Sequence, residues 1–215
     1  MPAPKELIDL VAQYSANRDE FRKNTFNETQ ARIELIDPLF NLIGWDMANR
    51  RGYSDEYRDV IHEDRVLVEG KSKAPDYAFR IGGHRKFQLE AKKPALNIGT
   101  DSSAAFQIRR YAWSASLNLC VLTNFENLAI YDAAARPDKA DSARKARAKF
   151  YSYTDYEAKW DEICDLLSPD GIQKGNFGKF AAGASARRGS TTIDNQFLEE
   201  IEEWRRSLAI DIAAH

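Results

Sequence analysis

Asp76, Glu90 and Lys92 have the residue types and the spacing needed to hold a divalent cation and cut a phosphodiester. Asp76 follows Pro75 in the run Pro75-Asp-Tyr-Ala-Phe-Arg-Ile81, and Glu90 and Lys92 stand two apart in Phe87-Gln-Leu-Glu-Ala-Lys92. Both runs have strand texture, and Gly82-Gly83 between them signals a tight turn, so they pair as a hairpin. If the loop is Gly82-Gly83-His84, Ile81 faces Arg85 and Asp76 lies opposite Glu90. A loop one residue longer or shorter moves that pairing by only one position. Two carboxylates on adjacent strands repel unless something cationic sits between them. Lys92 joins Glu90 on the same side, because side chains two apart on a strand share a face.

Two acids and a lysine beside a turn suit metal-assisted phosphodiester hydrolysis. Mg²⁺ is a hard ion that takes oxygen ligands and keeps several of its waters. Asp76 and Glu90 would supply carboxylates and Ala91 a carbonyl oxygen, with Mn²⁺ as a substitute ion. Such an ion stabilises charge on phosphate and acidifies bound water. Lys92 would position or help deprotonate that water and neutralise charge in the transition state. The competing reading is a solvated hairpin bearing an ordinary acid–lysine pair, since an E-x-K tripeptide alone is weak evidence.

The surrounding pattern describes the elements that must place these residues. Leu7, Ile8, Leu10, Val11 and Tyr14 form a helical stripe. A second helix is expected from Asn27 or Thr29 to Gly44, with Ile33, Ile36, Leu39, Phe40 and Ile43 facing inward and Pro38 kinking it or ending its first half. Strands are expected at Arg65–Glu69, Pro75–Ile81, Arg85–Lys92, Asn118–Thr123 and Asn127–Tyr131, with a turn over Gly70-Lys-Ser-Lys73 and an edge strand at Phe150–Tyr153. Helices are expected at Asp101–Trp113 and Tyr156–Leu167, and residues 133–149 read as a loop or exposed helix. Helices and strands in this order give an α/β domain with a central mixed sheet flanked by helices.

Composition sets the bounds. The chain has 215 residues, 43% of them hydrophobic, so one buried core is attainable. No apolar run approaches the roughly 18 residues of a membrane span. The start, MPAPKELIDL, lacks a signal-peptide pattern. Cys120 and Cys164 match no metal spacing, Cys120 reads as a buried inert thiol, and a cytoplasmic setting is expected. The net charge of −2 does not advertise nucleic-acid binding, and its distribution says more. Residues 1–70 hold 9 basic and 14 acidic side chains, whereas residues 71–110 hold 9 basic and 3 acidic, and Asp76 and Glu90 are among those three. A positive surround about two carboxylates suits a site holding a phosphate backbone and a metal together. A lysine-rich sheet edge would give the same count.

Pro75-Asp76 followed by Glu90-Ala91-Lys92 resembles the PD-(D/E)xK nuclease superfamily, with its restriction-endonuclease-like core. More narrowly, the chain looks like the N-terminal nuclease domain of type I and type IIG restriction–modification enzymes. Glu34, in Ile33-Glu-Leu-Ile-Asp-Pro38, stands where these nucleases often carry an extra acid, and Gln107-Ile-Arg-Arg-Tyr111 matches their Q-x-x-x-Y motif. The resemblance implies that Glu34 holds a metal-bound water or orients Lys92, and that Gln107 and Tyr111 contact the DNA backbone or support the active site. Arg109 and Arg110 are candidate phosphate contacts, and Lys93, on the opposite strand face from Lys92, a structural or backbone-binding residue. His62 reads as loop surface, and Tyr53 and Tyr57 as packing residues.

The implied arrangement is a nuclease domain over residues 1–170, a linker over 171–190, and over 191–215 the start of a helical connector toward a methyltransferase domain. S-adenosylmethionine would belong to that absent domain alone. Double-stranded DNA is the implied partner, with methyltransferase and target-recognition domains in cis or trans and a transient dimer for double-strand cleavage. The alternatives are a catalytically silent DNA-binding or scaffold module of the same fold, and a repair or recombination nuclease of the same superfamily.

Overall fold

The computed structural model describes residues 2–68 and 71–180. Helix α1 spans Lys5–Ala16 and a short α2 spans Arg18–Phe21. Asn27 then starts a three-part helix. Its side chain accepts from the Gln30 N–H at 2.9 Å, and the Gln30 side chain accepts from the Asn27 N–H at 3.0 Å, so each caps the other's backbone. The parts are α3 (Glu28–Ala31), a π-helical turn (Arg32–Ile36) and α4 (Asp37–Ile43). Pro38 falls in the first turn of α4, and Gly44 closes that helix in the left-handed conformation. The expected inward stripe breaks at one residue. Ile33 is 63% exposed while Ala31 and Leu35 are buried, because the wider π turn shifts the phase of the helix.

The strands are β1 (Val60–His62), β2 (Val66–Val68), β3 (Lys71–Lys73), β4 (Tyr77–Ile81) and β5 (His84–Ala91), then, after α5 (Ser102–Ser114), β6 (Leu119–Thr123), β7 (Asn127–Asp132) and β8 (Arg147–Ser152). Helices α6 (Trp160–Leu167) and α7 (Pro169–Gln173) follow. Three expectations need correction. Lys71–Lys73 is not a turn but pairs with β2. His62 lies in a strand, which the charged run His62-Glu-Asp64 concealed. Tyr53 and Tyr57 are exposed rather than packed.

The main sheet has the order β1-β4-β5-β6-β7-β8. The helical crossover through α5 makes β5 and β6 parallel, and the remaining pairs are antiparallel. Helices cover both faces, giving an α/β fold with a restriction-endonuclease-like core. Against one face, Phe40 and Trp45 meet the stacked cross-strand pair Phe79–Phe87, whose centroids are 4.3 Å apart. Against the other, Ala105, Ile108 and Ala112 of α5 pack on Cys120, Leu122 and Tyr131. Cys120 and Cys164 are buried free thiols.

Met1–Phe177 forms one compact unit. Helix α7 (Pro169–Gln173) overlaps only the first residues of the linker expected over 171–190, and residues 181–190 and the connector expected over 191–215 lie outside the described residues. Among the described residues no helix is long and apolar enough to cross a membrane.

Candidate active site

The β4–β5 hairpin turns through two residues, not three: Ile81 pairs with His84, and Gly82 and Gly83 both take positive φ. That alone would shift the register by one. A bulge corrects it, since Arg80 pairs with Arg85 but Phe79 pairs with Phe87, leaving Lys86 as the extra residue. Beyond the bulge Tyr77 faces Leu89, so Asp76 comes level with Glu90. The Asp76 carboxylate lies against β5, where Oδ2 accepts from the Ala91 N–H at 2.7 Å.

Glu90 is 4% exposed. Its Oε1 accepts from Lys92 Nζ at 2.8 Å and from Gln107 Nε2 at 2.6 Å, while its Oε2 is buried without a hydrogen-bond partner. Burial, reinforced by the charge of Asp76, pushes the Glu90 carboxyl up to about 7. Burial opposes the charge on Lys92, but Glu90 and then Glu28 outweigh it and hold the ammonium protonated. Glu28 approaches Lys92 at 3.5 Å from the first turn of α3.

Arg32 approaches Asp76 from the other side, with Nη1 3.4 Å from Oδ1. Its guanidinium lies 4.7 Å from the centroid of the Tyr77 ring, Nε donates to the Tyr77 hydroxyl at 3.2 Å, and Nη2 sits 3.3 Å from His62 Nδ1. The Tyr77 hydroxyl in turn donates to Asp37 at 2.7 Å. Among the described residues, these contacts set the carboxyl groups of Glu28, Asp76 and Glu90 against two cations, Lys92 and Arg32.

That negative surplus, with one buried Glu90 oxygen unpartnered, fits a small hard cation. Among the described residues no three His, Cys, Asp or Glu side chains gather into a metal cage. Two carboxylates and a carbonyl, completed by water, are the donor set Mg²⁺ accepts and a structural zinc site does not.

The remaining expected site residues fall out differently. Gln107 and Tyr111 lie on α5, one turn apart, and Gln107 Nε2 also meets the Tyr111 hydroxyl at 3.3 Å, so the pair braces Glu90. Glu34 is exposed on the π turn, and the acid that this helix brings within 3.5 Å of Lys92 is Glu28. Arg109, expected as a phosphate contact, is 1% exposed and holds Asp141 at 2.8 Å beneath the segment before β8. Arg110 is partly exposed, 5.3 Å over the Phe106 ring. Lys93 Nζ donates to Asn24 Oδ1 at 3.4 Å. Glu28 and Arg32 were missed. The capping signal at Asn27 could have drawn attention to Glu28; nothing in the spacing marks Arg32.

Over 206 residues, 95% of its length, the chain is 36% identical to the type II restriction enzyme and methyltransferase RM.Eco57I of Escherichia coli. It spans 21% of that relative's length. No family model matches the chain, and no solved structure does.

Proposed function

We propose that the chain is a Mg²⁺-dependent DNA-cleaving domain of the PD-(D/E)xK kind, the cutting part of a restriction–modification enzyme. The observation that carries this reading is the meeting of Asp76 and Glu90 at one end of the hairpin, with Lys92 on Glu90 and one Glu90 oxygen unpartnered. Likeness to a protein named as both restriction enzyme and methyltransferase supports it.

Asp76, Glu90 and the Ala91 carbonyl would hold the ion. When bound, Mg²⁺ supplies Lewis-acid stabilisation of phosphate charge and acidifies water. The protein's own groups do the rest. Lys92, kept charged between Glu90 and Glu28, neutralises charge that develops on the phosphate. Arg32, fixed by stacking on Tyr77, offers a second cation to a phosphate oxygen. Gln107, donating to Glu90 Oε1, fixes the carboxylate's orientation, the task an outer-shell group performs at metal sites.

Sequence choice belongs to target-recognition and methyltransferase domains in cis or trans, and S-adenosylmethionine to the methyltransferase. Double-strand cleavage would draw two such domains into a transient pair. Incubating the chain with supercoiled plasmid and Mg²⁺ or Mn²⁺ tests the reading. Conversion to nicked circles is expected; failure to nick, alone and fused to a methyltransferase and recognition module, overturns it.

A further inference from the structure

The outward face of α5 is more than a solvated surface. Its inward residues Ala104, Ala105, Ile108 and Ala112 are buried in the core beneath it. Outward, Phe106, Gln107, Arg110 and Trp113 follow at helical spacing. Beside them runs the segment 134–141, and between the two lies a groove in adjoining parts of about 610 and 640 Å³ that share Phe106, Arg110 and Lys139. One part is bounded by Gln107 and Tyr111, the pair that braces Glu90. The other continues to Trp113 and Arg136. The groove therefore leads from the carboxylate cluster along the helix.

Its lining alternates rings and cations. The Arg110 guanidinium lies 5.3 Å from the Phe106 centroid, and that of Arg136 lies 5.3 Å from the Trp113 centroid. Trp113 is nevertheless 40% exposed, a large apolar surface left to water. The segment that carries Arg136 and Lys139 is pinned. The buried Arg109 bonds Asp141, Ala133 and Ala143 sit in the core, and the Tyr131 hydroxyl donates to the Ala143 carbonyl at 2.9 Å. Asp138, which also lines the groove, spends Oδ1 on the Ala140 N–H at 2.8 Å. Over 133–149 there are 6 basic and 2 acidic residues. Cations held on a fixed scaffold, interleaved with rings, match a phosphodiester strand, whose phosphates attract the charges and whose sugars pack against the rings.

We infer that this groove holds the DNA strand leading away from the scissile phosphate, with Arg110, Arg136 and Lys139 on its phosphates and Trp113 against a sugar. The inference rests on the DNA-cleaving reading, and the test separates the two. The 215-residue chain is titrated onto a short fluorescein-labelled duplex in EDTA, with anisotropy recorded across a range of salt. The double variant Arg136→Ala/Lys139→Ala is expected to bind about 10-fold more weakly and to flatten the log–log salt slope by about two units. Trp113→Ala, which removes apolar surface that a sugar would cover, is expected to bind about 5-fold more weakly. Unchanged melting temperatures show that both still fold. If the groove variants bind with wild-type affinity and slope while the wild type nicks plasmid, the groove is wrong and the nuclease reading stands. If they lose binding as expected but the wild type nicks nothing, alone and fused to a methyltransferase and recognition module, the groove stands and the nuclease reading falls. A chain that binds no duplex overturns the groove and leaves the nuclease reading to the nicking assay.

Discussion

Glu90 concentrates the chemistry of the site, because one of its oxygens is committed to Lys92 and Gln107 and the other to nothing. A carboxyl pushed up to about 7 by burial and by Asp76 is largely protonated in mildly acidic solution, and it must lose that proton to ligate a cation. Mn²⁺ affinity, measured by calorimetry, is therefore expected to rise about tenfold per pH unit up to about pH 7 and flatten above it, with about one proton released per ion at low pH. A pH-independent affinity would contradict the assignment of Glu90 as a ligand. Gln107→Ala frees Oε1 of its orienting donor and is expected to raise the metal concentration for half-maximal nicking by about 10-fold, with the melting temperature nearly unchanged. An unchanged metal requirement would make Gln107 a packing residue. At this scale the sequence was partly readable. Asp76, Glu90 and Lys92 stand out because strand alternation and a Gly-Gly turn bring them to one face. Arg32 does not, because its approach to Asp76 depends on stacking against Tyr77, 45 positions away. Arg109 misled because an arginine on a helix looks exposed until the chain after β7 folds over it.

At the scale of elements, the hairpin and the three-part helix position everything else. The hairpin register was right for a reason not visible in the sequence: a two-residue turn and a bulge displace the pairing in opposite senses and cancel. The helix was misread for the converse reason. A 3.6-residue period assumes a uniform α-helix, and the π turn moves Ile33 to the surface. Asp64 fastens the hairpin from the β1–β2 connection, accepting from Arg85 Nε at 2.5 Å and Nη2 at 2.8 Å and from Arg80 at 3.3 Å. Burial alone would raise its carboxyl, but Arg85 and Arg80 outweigh burial and hold it below the usual range. A depressed carboxylate stabilises the fold above its unfolded value, near 3.9, and that contribution disappears as pH falls through the folded value. Asp64→Asn is expected to cost about 2 kcal/mol at neutral pH, less than a fully buried pair because Arg85 is open to solvent. The difference from wild type is expected to shrink on acidification. Chemical denaturation at pH 7 and pH 3 checks this; a deficit that grows toward acid would contradict it.

For the whole molecule, the order of helices and strands sufficed to read an α/β domain with a mixed sheet, because alternation and helical stripes are local signals. Strand order was not readable, since it depends on contacts far apart in the chain, and β1, beyond β4 at the sheet edge, went unnoticed. The chain covers 21% of the length of the restriction enzyme and methyltransferase to which it is similar. The central claim is that Asp76, Glu90 and Lys92 do the cutting, and Lys92 tests it most directly. Loss of its ammonium leaves the metal ligands in place but removes the charge beside the phosphate. The decisive measurement is the plasmid-nicking rate of Lys92→Ala against wild type in saturating Mg²⁺, at equal melting temperature. The account predicts a fall of about 100-fold or more; equal rates would contradict it.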